Sequence, residues 1–560
     1  MQQLYQEFFE TLESKNISNV EEALKLRHSL AKKYSTNKLP SLIQILLNIP
    51  EDKIENFKFL IGKPVRTISG VSPVAIMTYP RECPHGSCTF CPGGVNSFFG
   101  NVPKSYTGNE PASMRAIRNK FDPYLQVMNR LQQYILLGHI PSKIELIIMG
   151  GTFPSYPINY QDEFICYALK AINDFSDLFI KENIDLKKFK EIFMLPHNMK
   201  DLNIQEKLQL ELLKFKNDST LEKEQLRNES SNLRCIGLTI ETKPDYGKLS
   251  QGNQMLSLGA TKVEVGVQSV YEEPLHLTNR GHNLNDTKES LQILKDLGFK
   301  INAHYMLGLP GTDKKMDLEG LKQMFSDPDF KPDWMKIYPC MVMPGTPLYE
   351  QYKKQEYIPL STDEAADIIS EAKRYVPKWL RITRIQRDIP TKVTIAGVDK
   401  TNLRQIVHEK LKEKGIKCNC IRCRESGRNK KASNINIYVE KYQAQKGTEF
   451  FISAEDLEND ILVGYCRLRF PYQFLRKEIT QNSALIREIH IYSPQVSLGK
   501  KTDISQQHRG FGTKLMKKAE EICKENSKTK ILVLSGIGVK QYFSNLGYKK
   551  DSYYMSKNLY

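Results

Sequence analysis

The chain has 560 residues, with 81 Lys and Arg against 64 Asp and Glu and a formal net charge of +17. Hydrophobic residues make up 40% and charged residues 26%, which fits a folded globular protein of two or three domains and excludes a disordered or membrane-embedded one. No apolar run is long enough to span a bilayer, and Met1-Gln2-Gln3-Leu4-Tyr5-Gln6-Glu7 lacks the basic start and apolar stretch of a signal peptide. The expectation is a soluble, cytoplasmic protein with no membrane partner.

The positive excess favours a polyanionic partner, most simply nucleic acid; a lysine-rich soluble surface gives the same total. Eleven cysteines are present, and six fall in two tight groups. A reducing compartment makes metal or cluster binding the better account of those groups than disulfides. Cys166, Cys235, Cys340, Cys466 and Cys523 are scattered and read as small core residues.

In chain order, residues 1–62 carry amphipathic helical spacing (Leu24, Leu26, Leu30) and a basic stretch, Arg27, Lys32, Lys33 and Lys38. This is either a helical arm that grips nucleic acid or a plain helical cap. Residues 63–390 alternate short apolar runs with helical patterns. The expected strands are Val74–Met77, Ile144–Met149, Ile236–Ile240, Val263–Val267, Ile301–Met306 and Trp334–Pro339. Such alternation predicts parallel β/α units closing into a partial TIM-like barrel, with the chemistry at the carboxyl ends of the strands. Residues 181–232, rich in Lys, Glu, Asn and Leu, read as a helical insertion on the outside.

Just after the first strand comes Cys83-Pro84-His85-Gly86-Ser87-Cys88-Thr89-Phe90-Cys91. Three thiolates this close can hold three irons of a 4Fe–4S cluster and leave the fourth open. The open iron can bind S-adenosylmethionine through its amino and carboxylate groups, and an electron from the cluster then cleaves that ligand. Two other readings are a zinc site completed by His85 or a distant residue, and three structural cysteines. The surrounding Pro, Gly and His argue against the last. At other strand ends stand Gly150-Gly151, suited to close approach by a ligand, and Glu241. Glu264, Gly266 and Gln268 share one face by strand periodicity.

Residues 391–435 hold the second group, Cys418-Asn419-Cys420-Ile421-Arg422-Cys423, whose spacing is that of zinc ligands. Cys466 is the candidate fourth ligand, with core packing as its alternative. Arg424, Arg428, Lys430 and Lys431 follow and suit phosphates. Residues 436–560 form a second α/β unit. In it Gln507-His508-Arg509-Gly510-Phe511-Gly512 precedes an amphipathic helix expected over Thr513–Glu525. Glycines at a helix start free backbone amides for a pyrophosphate, and Gln-x-x-Gly-x-Gly is the form of the acyl-CoA turn in GNAT acetyltransferases. Tyr542 follows the next strand, where a phenol can donate a proton at a thioester sulfur or simply pack.

Together these motifs resemble the catalytic subunit of Elongator, including its stand-alone prokaryotic form. The likeness runs through Lys63-Pro64-Val65-Arg66-Thr67, the cysteine triad with Pro92-Gly93-Gly94, Met114-Arg115-Ala116-Ile117-Arg118, Asn279-Arg280-Gly281-His282, Arg487-Glu488-Ile489-His490 and Ser535-Gly536-Ile537-Gly538-Val539. It implies a radical S-adenosylmethionine domain joined to an acetyl-CoA domain. The implied activity is carboxymethylation at carbon 5 of the tRNA wobble uridine: a deoxyadenosyl radical takes hydrogen from the acetyl methyl, the carbon radical adds to the base, and thioester hydrolysis gives 5-carboxymethyluridine. The implied partners are the tRNA anticodon stem-loop, an electron donor, and either Elongator-like subunits or a second copy of the chain.

By position, Lys143, Glu488, Ile489, His490, Ile491, Phe511, Gly512 and Thr513 would contact acetyl-CoA, beside Gln507 and Gly510. Gly150, Gly151, Glu241 and Gln268 would face S-adenosylmethionine. Where members often carry two adjacent tyrosines, this chain has Tyr542 and Phe543, so Tyr542 carries the catalytic expectation and Phe543 a place at the cofactor. A protein lysine acetyltransferase and a nucleic-acid scaffold with vestigial sites are the competing functions; the intact triad argues against both.

Overall fold

The computed structural model describes residues 2–36, 39–40, 42–46, 48, 57, 59–60, 70–137, 139–181, 184–196, 201–426, 432–492 and 510–560. Lys63 to Thr67, Arg428, Lys430, Lys431 and Gln507 to Arg509 therefore lie outside the described residues.

Two seven-stranded sheets organise the rest. The first is built from β1 (Val71–Met77), β4 (Lys143–Met149), β5 (Arg234–Thr242), β6 (Lys262–Gln268), β7 (Lys300–Leu307), β8 (Trp334–Pro339) and β9 (Arg381–Arg384), all parallel and in that order. A hairpin, β2 (Gly94–Ser97) with β3 (Gly100–Val102), stands between β1 and β4. Period-two patterning decides the faces. Val74, Ile76, Ile144, Leu146, Ile148, Val263, Val265 and Val267 are fully buried against the outer helices. The alternate positions Glu145, Glu241, Glu264, His304 and Lys336 turn inward. β1 and β9 do not pair with each other, so the barrel stays open on one side. β9 is absent from the sequence expectation because Arg381-Ile382-Thr383-Arg384 offers one apolar residue in four.

The insertion packs outside this sheet as helices Leu186–Ile192, Leu202–Leu213 and Leu221–Ser230. Asn173 Nδ2 donates to Glu224 Oε2 at 2.7 Å, and the Cys235 amide donates to Asn228 Oδ1 at 2.7 Å, so the insertion is pinned to β5. At the N-terminus the helices Gln2–Ser14 and Val20–Lys33 share a small separate core of Leu4, Phe8, Leu12 and Leu30.

The second sheet runs β10 (Asn436–Ala444), β11 (Gly447–Asp456), β12 (Ile461–Phe470), β13 (Ser483–Ile491), β14 (Lys530–Val533), β16 (Tyr554–Asn558) and β15 (Lys549–Asp551). Only β13 and β14 are parallel neighbours, paired from Ser483–Lys530 to Ile486–Val533. β13 then continues to Ile491 without β14 and leaves a splay. The helix Phe511–Glu525 covers the sheet through Leu515, Met516, Ala519, Ile522 and Cys523, the spacing of one apolar stripe.

Buried charge joins the two sheets. Arg487 grips Asp333, which directly precedes β8, with bonds of 2.6 and 2.7 Å, and reaches Glu449 at 2.8 Å. Arg469 bonds Asp296 at 2.6 Å and Glu449 at 2.9 Å; Arg467 bonds Glu488 at 3.0 Å. These groups are at most 5% exposed. A second contact is backbone on backbone: a Cβ on Gly536 would overlap the Ile236 carbonyl of β5. Arg487→Met takes the closest cation from buried Asp333 and one of two from Glu449, and is expected to cost about 3–5 kcal/mol, read as a lower urea midpoint. Gly536→Ala is expected to lower the midpoint as well, since the added Cβ would meet the Ile236 carbonyl, whose backbone is held in β5.

Candidate active site

At the carboxyl ends of the barrel strands lies a cavity of about 560 Å³, lined by Cys83, Cys88, Cys91, Gly151, Glu241, Glu264, Gln268 and Lys336 among others. The three thiols sit on the loop after β1, each in a different setting. The Ser105 amide donates to Cys91 Sγ at 3.3 Å. Cys88 Sγ accepts from Arg280 Nη1 at 3.2 Å and lies 3.3 Å from His85 Nε2. Cys83 Sγ is 4.0 Å from Thr152 Oγ1, and burial, with Cys91 and Cys88 beside it, pushes its thiol up to about 11. Arg280 also bonds the Gly266 carbonyl at 2.9 Å. Sulfur acceptors already provided with N–H donors suit thiolates in a charged cluster.

Spacing separates a cluster from a single ion. Among the described residues two groups of three ligand atoms lie within 4.8 Å of one another: Cys418, Cys420 and Cys423, and Glu241, Glu264 and His304. The Cys83 triad is spread more widely, as ligands of different irons must be, whereas the Cys418 triad is drawn together as ligands of one ion. In the acidic group the Lys336 ammonium pairs with Glu264 and already supplies the charge a metal would bring.

Gly150 and Gly151 follow β4 with φ of 120° and 113°. Thr78 Oγ1 lies 2.6 Å from where a Gly150 side chain would start, so the wall here is bare backbone. Glu241 accepts from the Tyr106 hydroxyl at 3.3 Å. Burial raises its carboxyl to about 7; Lys336 opposes the shift and Glu264 adds to it. Burial alone would raise Glu264, but Lys336 and His304 hold it well below the ordinary range. The cavity thus carries one carboxyl poised near neutrality beside one firmly ionised. Gln268, at φ 69°, turns into the same cavity with its Oε1 unbonded among the described residues.

The expected acyl-carrier residues gather elsewhere, where the splayed end of β13 meets the amino ends of the barrel strands. Glu488 accepts from Arg467 Nε at 3.0 Å and from Trp334 Nε1, at the start of β8, at 3.1 Å. Burial opposes its ionisation, while Lys300, Arg467 and His490 hold its carboxyl below the usual value. His490 lies beside Tyr492, ring centroids 4.3 Å apart, and burial lowers its imidazole to about 4. Ile489, Ile491 and Lys143 are half-buried, Lys143 at the first position of β4. Gly510 caps the helix in the left-handed region at φ 80°, ahead of Phe511, Gly512 and Thr513. Tyr542 closes over this turn: its hydroxyl lies 2.7 Å from where a Gly512 side chain would start. Phe543, beside it, is 3% exposed and packs against Tyr548 in the core.

Of the two readings of Cys466, metal ligand and core residue, the structure has the core residue. It is fully buried on β12 within the core of the second sheet, away from the Cys418 group. The neighbour of that group is Lys373, whose Nζ is 3.3 Å from Cys418 Sγ and 3.8 Å from Cys423 Sγ. Arg280, Lys336, Tyr106 and Trp334 escaped sequence reasoning about the site, although Arg280 stands in the quoted Asn-Arg-Gly-His run.

Comparison with known proteins adds three family matches: residues 77–319 to the Radical SAM superfamily, 332–413 to the Radical SAM C-terminal domain, and 1–68 to the ELP3 N-terminal domain. The tRNA uridine(34) acetyltransferase of Methanocaldococcus jannaschii is 47% identical over 518 residues, 91% of this chain and 88% of its own. Elongator complex protein 3 of Saccharomyces cerevisiae is 37% identical over 547 residues, 94% and 90% of the two chains. The solved structure of archaeal Methanocaldococcus infernus Elp3 with its N-terminus (1–46) deleted matches with a TM-score of 0.71 at 41% identity, covering 88% of this chain and 100% of that one.

The raised Glu241 carboxyl has a signed consequence. Folded protein keeps a proton that unfolded protein releases above its ordinary value of 4.5, so this contribution to stability is lost as pH rises toward and through about 7. Melting temperatures of wild type and Glu241→Gln should therefore diverge between pH ~5 and ~8, with wild type losing relative stability at the higher pH.

Proposed function

As this chain belongs to the Elongator catalytic-subunit (Elp3) family, we propose that it modifies uridine 34 of tRNA, using acetyl-CoA and S-adenosylmethionine, and that its product is 5-carboxymethyluridine. The observation that carries this is the joining of two cofactor-type sites in one rigid frame. The thiol-lined cavity opens at the carboxyl ends of the barrel strands, and the splay of β13 abuts their amino ends.

Cys83, Cys88 and Cys91 are the ligands for a 4Fe–4S cluster, which supplies the electron that opens S-adenosylmethionine to radical chemistry. Gly150, Gly151, Glu241 and Gln268 shape the wall that orients the cofactor. In the second unit, Gly510 to Thr513 offer helix-start amides for the pyrophosphate. Lys143 and the strand Glu488 to Ile491 hold the acyl arm. Glu488 stays ionised, and Tyr542, whose phenol burial pushes up, keeps its proton for donation at the thioester. Cys418, Cys420 and Cys423 suit a zinc ion that stiffens the junction. The tRNA anticodon stem-loop and an electron donor complete the system. No described helix is long and apolar enough to cross a membrane.

Protein reconstituted anaerobically with iron and sulfide should convert unmodified tRNA, acetyl-CoA, S-adenosylmethionine and dithionite into tRNA containing 5-carboxymethyluridine, detected by mass spectrometry of the digest. Cys88→Ala should abolish it. Lysine acetylation surviving in a protein that never modifies tRNA would instead favour the protein-acetyltransferase reading. Tyr542→Phe is expected to lower turnover about 10²-fold with acetyl-CoA affinity kept. Cys420→Ser should lower zinc content, measured by elemental analysis, and leave iron content in place.

A further inference from the structure

The open side of the barrel is banked by arginines that the cofactor sites leave unexplained. The edge of β1 has no strand partner on that side, and side chains cap its carbonyls. Arg115 Nη2 bonds the Ala75 carbonyl at 2.7 Å, and the Tyr134 hydroxyl bonds the Pro73 carbonyl at 2.7 Å. Arg130 lies 4.2 Å over the Tyr134 ring and bonds its hydroxyl at 3.1 Å and Gln133 at 3.1 Å. Across the gap, just past β9, Arg387 bonds the Ser105 carbonyl, and Arg384 pairs with Asp388 at 2.8 Å. Both banks line the cavity that holds the thiols.

The β1 bank is electrostatically incomplete. Arg115 is 6% exposed, and its Nε has no hydrogen-bond partner among the described residues. Burial lowers its guanidinium to about 10, and repulsion from Arg130 and Arg118 lowers it further, with Tyr134 opposing. Arg130 likewise makes no ion pair with a carboxylate among the described residues. A buried guanidinium near another, with no anion beside it, is unfavourable unless a ligand brings the charge. Two guanidinium groups lining one cavity suit a phosphate, which such planar forks can hold in bidentate fashion.

We propose that this open side is a phosphodiester site: Arg115 and Arg130 bind the backbone phosphate of an unstacked nucleotide whose base enters the cavity, with Arg387 bounding the slot from the β9 side. The site rests on the tRNA reading above and deepens it, because a base that must be reached by a radical has to leave its stack. An incomplete barrel provides a lateral entrance that a closed one lacks. It also gives Met114-Arg115-Ala116-Ile117-Arg118 a task that neither cofactor assigns.

The test is tRNA binding by fluorescence anisotropy across a series of salt concentrations, with S-adenosylmethionine binding measured in parallel by equilibrium dialysis. Arg130→Gln, on a half-exposed side chain, should weaken tRNA binding about tenfold and flatten the plot of log affinity against log salt by about 0.7–0.9, one phosphate contact. Arg115→Lys, which keeps charge and loses the fork, should weaken it less than Arg115→Gln. Affinity for S-adenosylmethionine should match wild type. Three results overturn the proposal. One is folded variants that bind tRNA with wild-type affinity and slope. Another is loss of S-adenosylmethionine binding alone, which would assign the pair to that ligand's carboxylate. Failure of wild-type protein to bind tRNA at all would remove the tRNA reading together with this site, whereas wild-type binding matched by the variants removes the phosphate site alone.

Discussion

The buried charge network between the two sheets is the constraint on which the rest depends. Asp333 stands at the foot of β8 and accepts both forks of Arg487, which belongs to β13. One residue further on, Glu488 is tied to Trp334 at the start of the same barrel strand. The end of β13 that carries Glu488 and the barrel strands that frame the thiol-lined cavity are therefore fixed to each other within one hydrogen-bonded frame. Hydrophobic contact alone would allow the sheets to slide; paired charges without water do not, because each displaced partner would leave an ion uncompensated in low dielectric.

Within that frame the barrel interior is a column of polar groups whose charges are set by neighbours. At the foot, Lys262 pairs with Glu145; in the middle, Lys336 pairs with Glu264, which also bonds His304 at 3.0 Å; near the mouth, Tyr106 donates to Glu241. Each acid but Glu241 has a cation in contact, and Glu241 is the one whose carboxyl rises toward neutrality. A protonated carboxyl can donate as well as accept, which suits the wall of a cavity that must receive a zwitterionic cofactor.

Positive charge is distributed with the same economy. Arg280 meets the Cys88 sulfur, and Lys336 meets carboxylate, so both are neutralised by the site itself. Arg115 and Arg130 are not.

Much of this was legible in the sequence. Period-two alternation in Val263 to Gln268 determined which residues of that strand line the cavity, and the crowding of Cys83, Cys88 and Cys91 marked them as candidate cluster ligands, because local spacing and backbone periodicity are properties of adjacent residues. The glycine turn before Phe511 was legible for the same reason. What only the tertiary structure decided depends on residues far apart in the chain. Cys466 looked like a metal ligand but faces the core of its own sheet, because strand alternation there turns it toward the covering helix. Phe543, adjacent to Tyr542, is packed into that core. β9 carries too little apolar signal to be read, yet it leaves the barrel open opposite β1 and so brings Arg387 across from Arg115. Charge, burial and protonation are set by neighbours in space, and a linear string of residues does not say who those neighbours are.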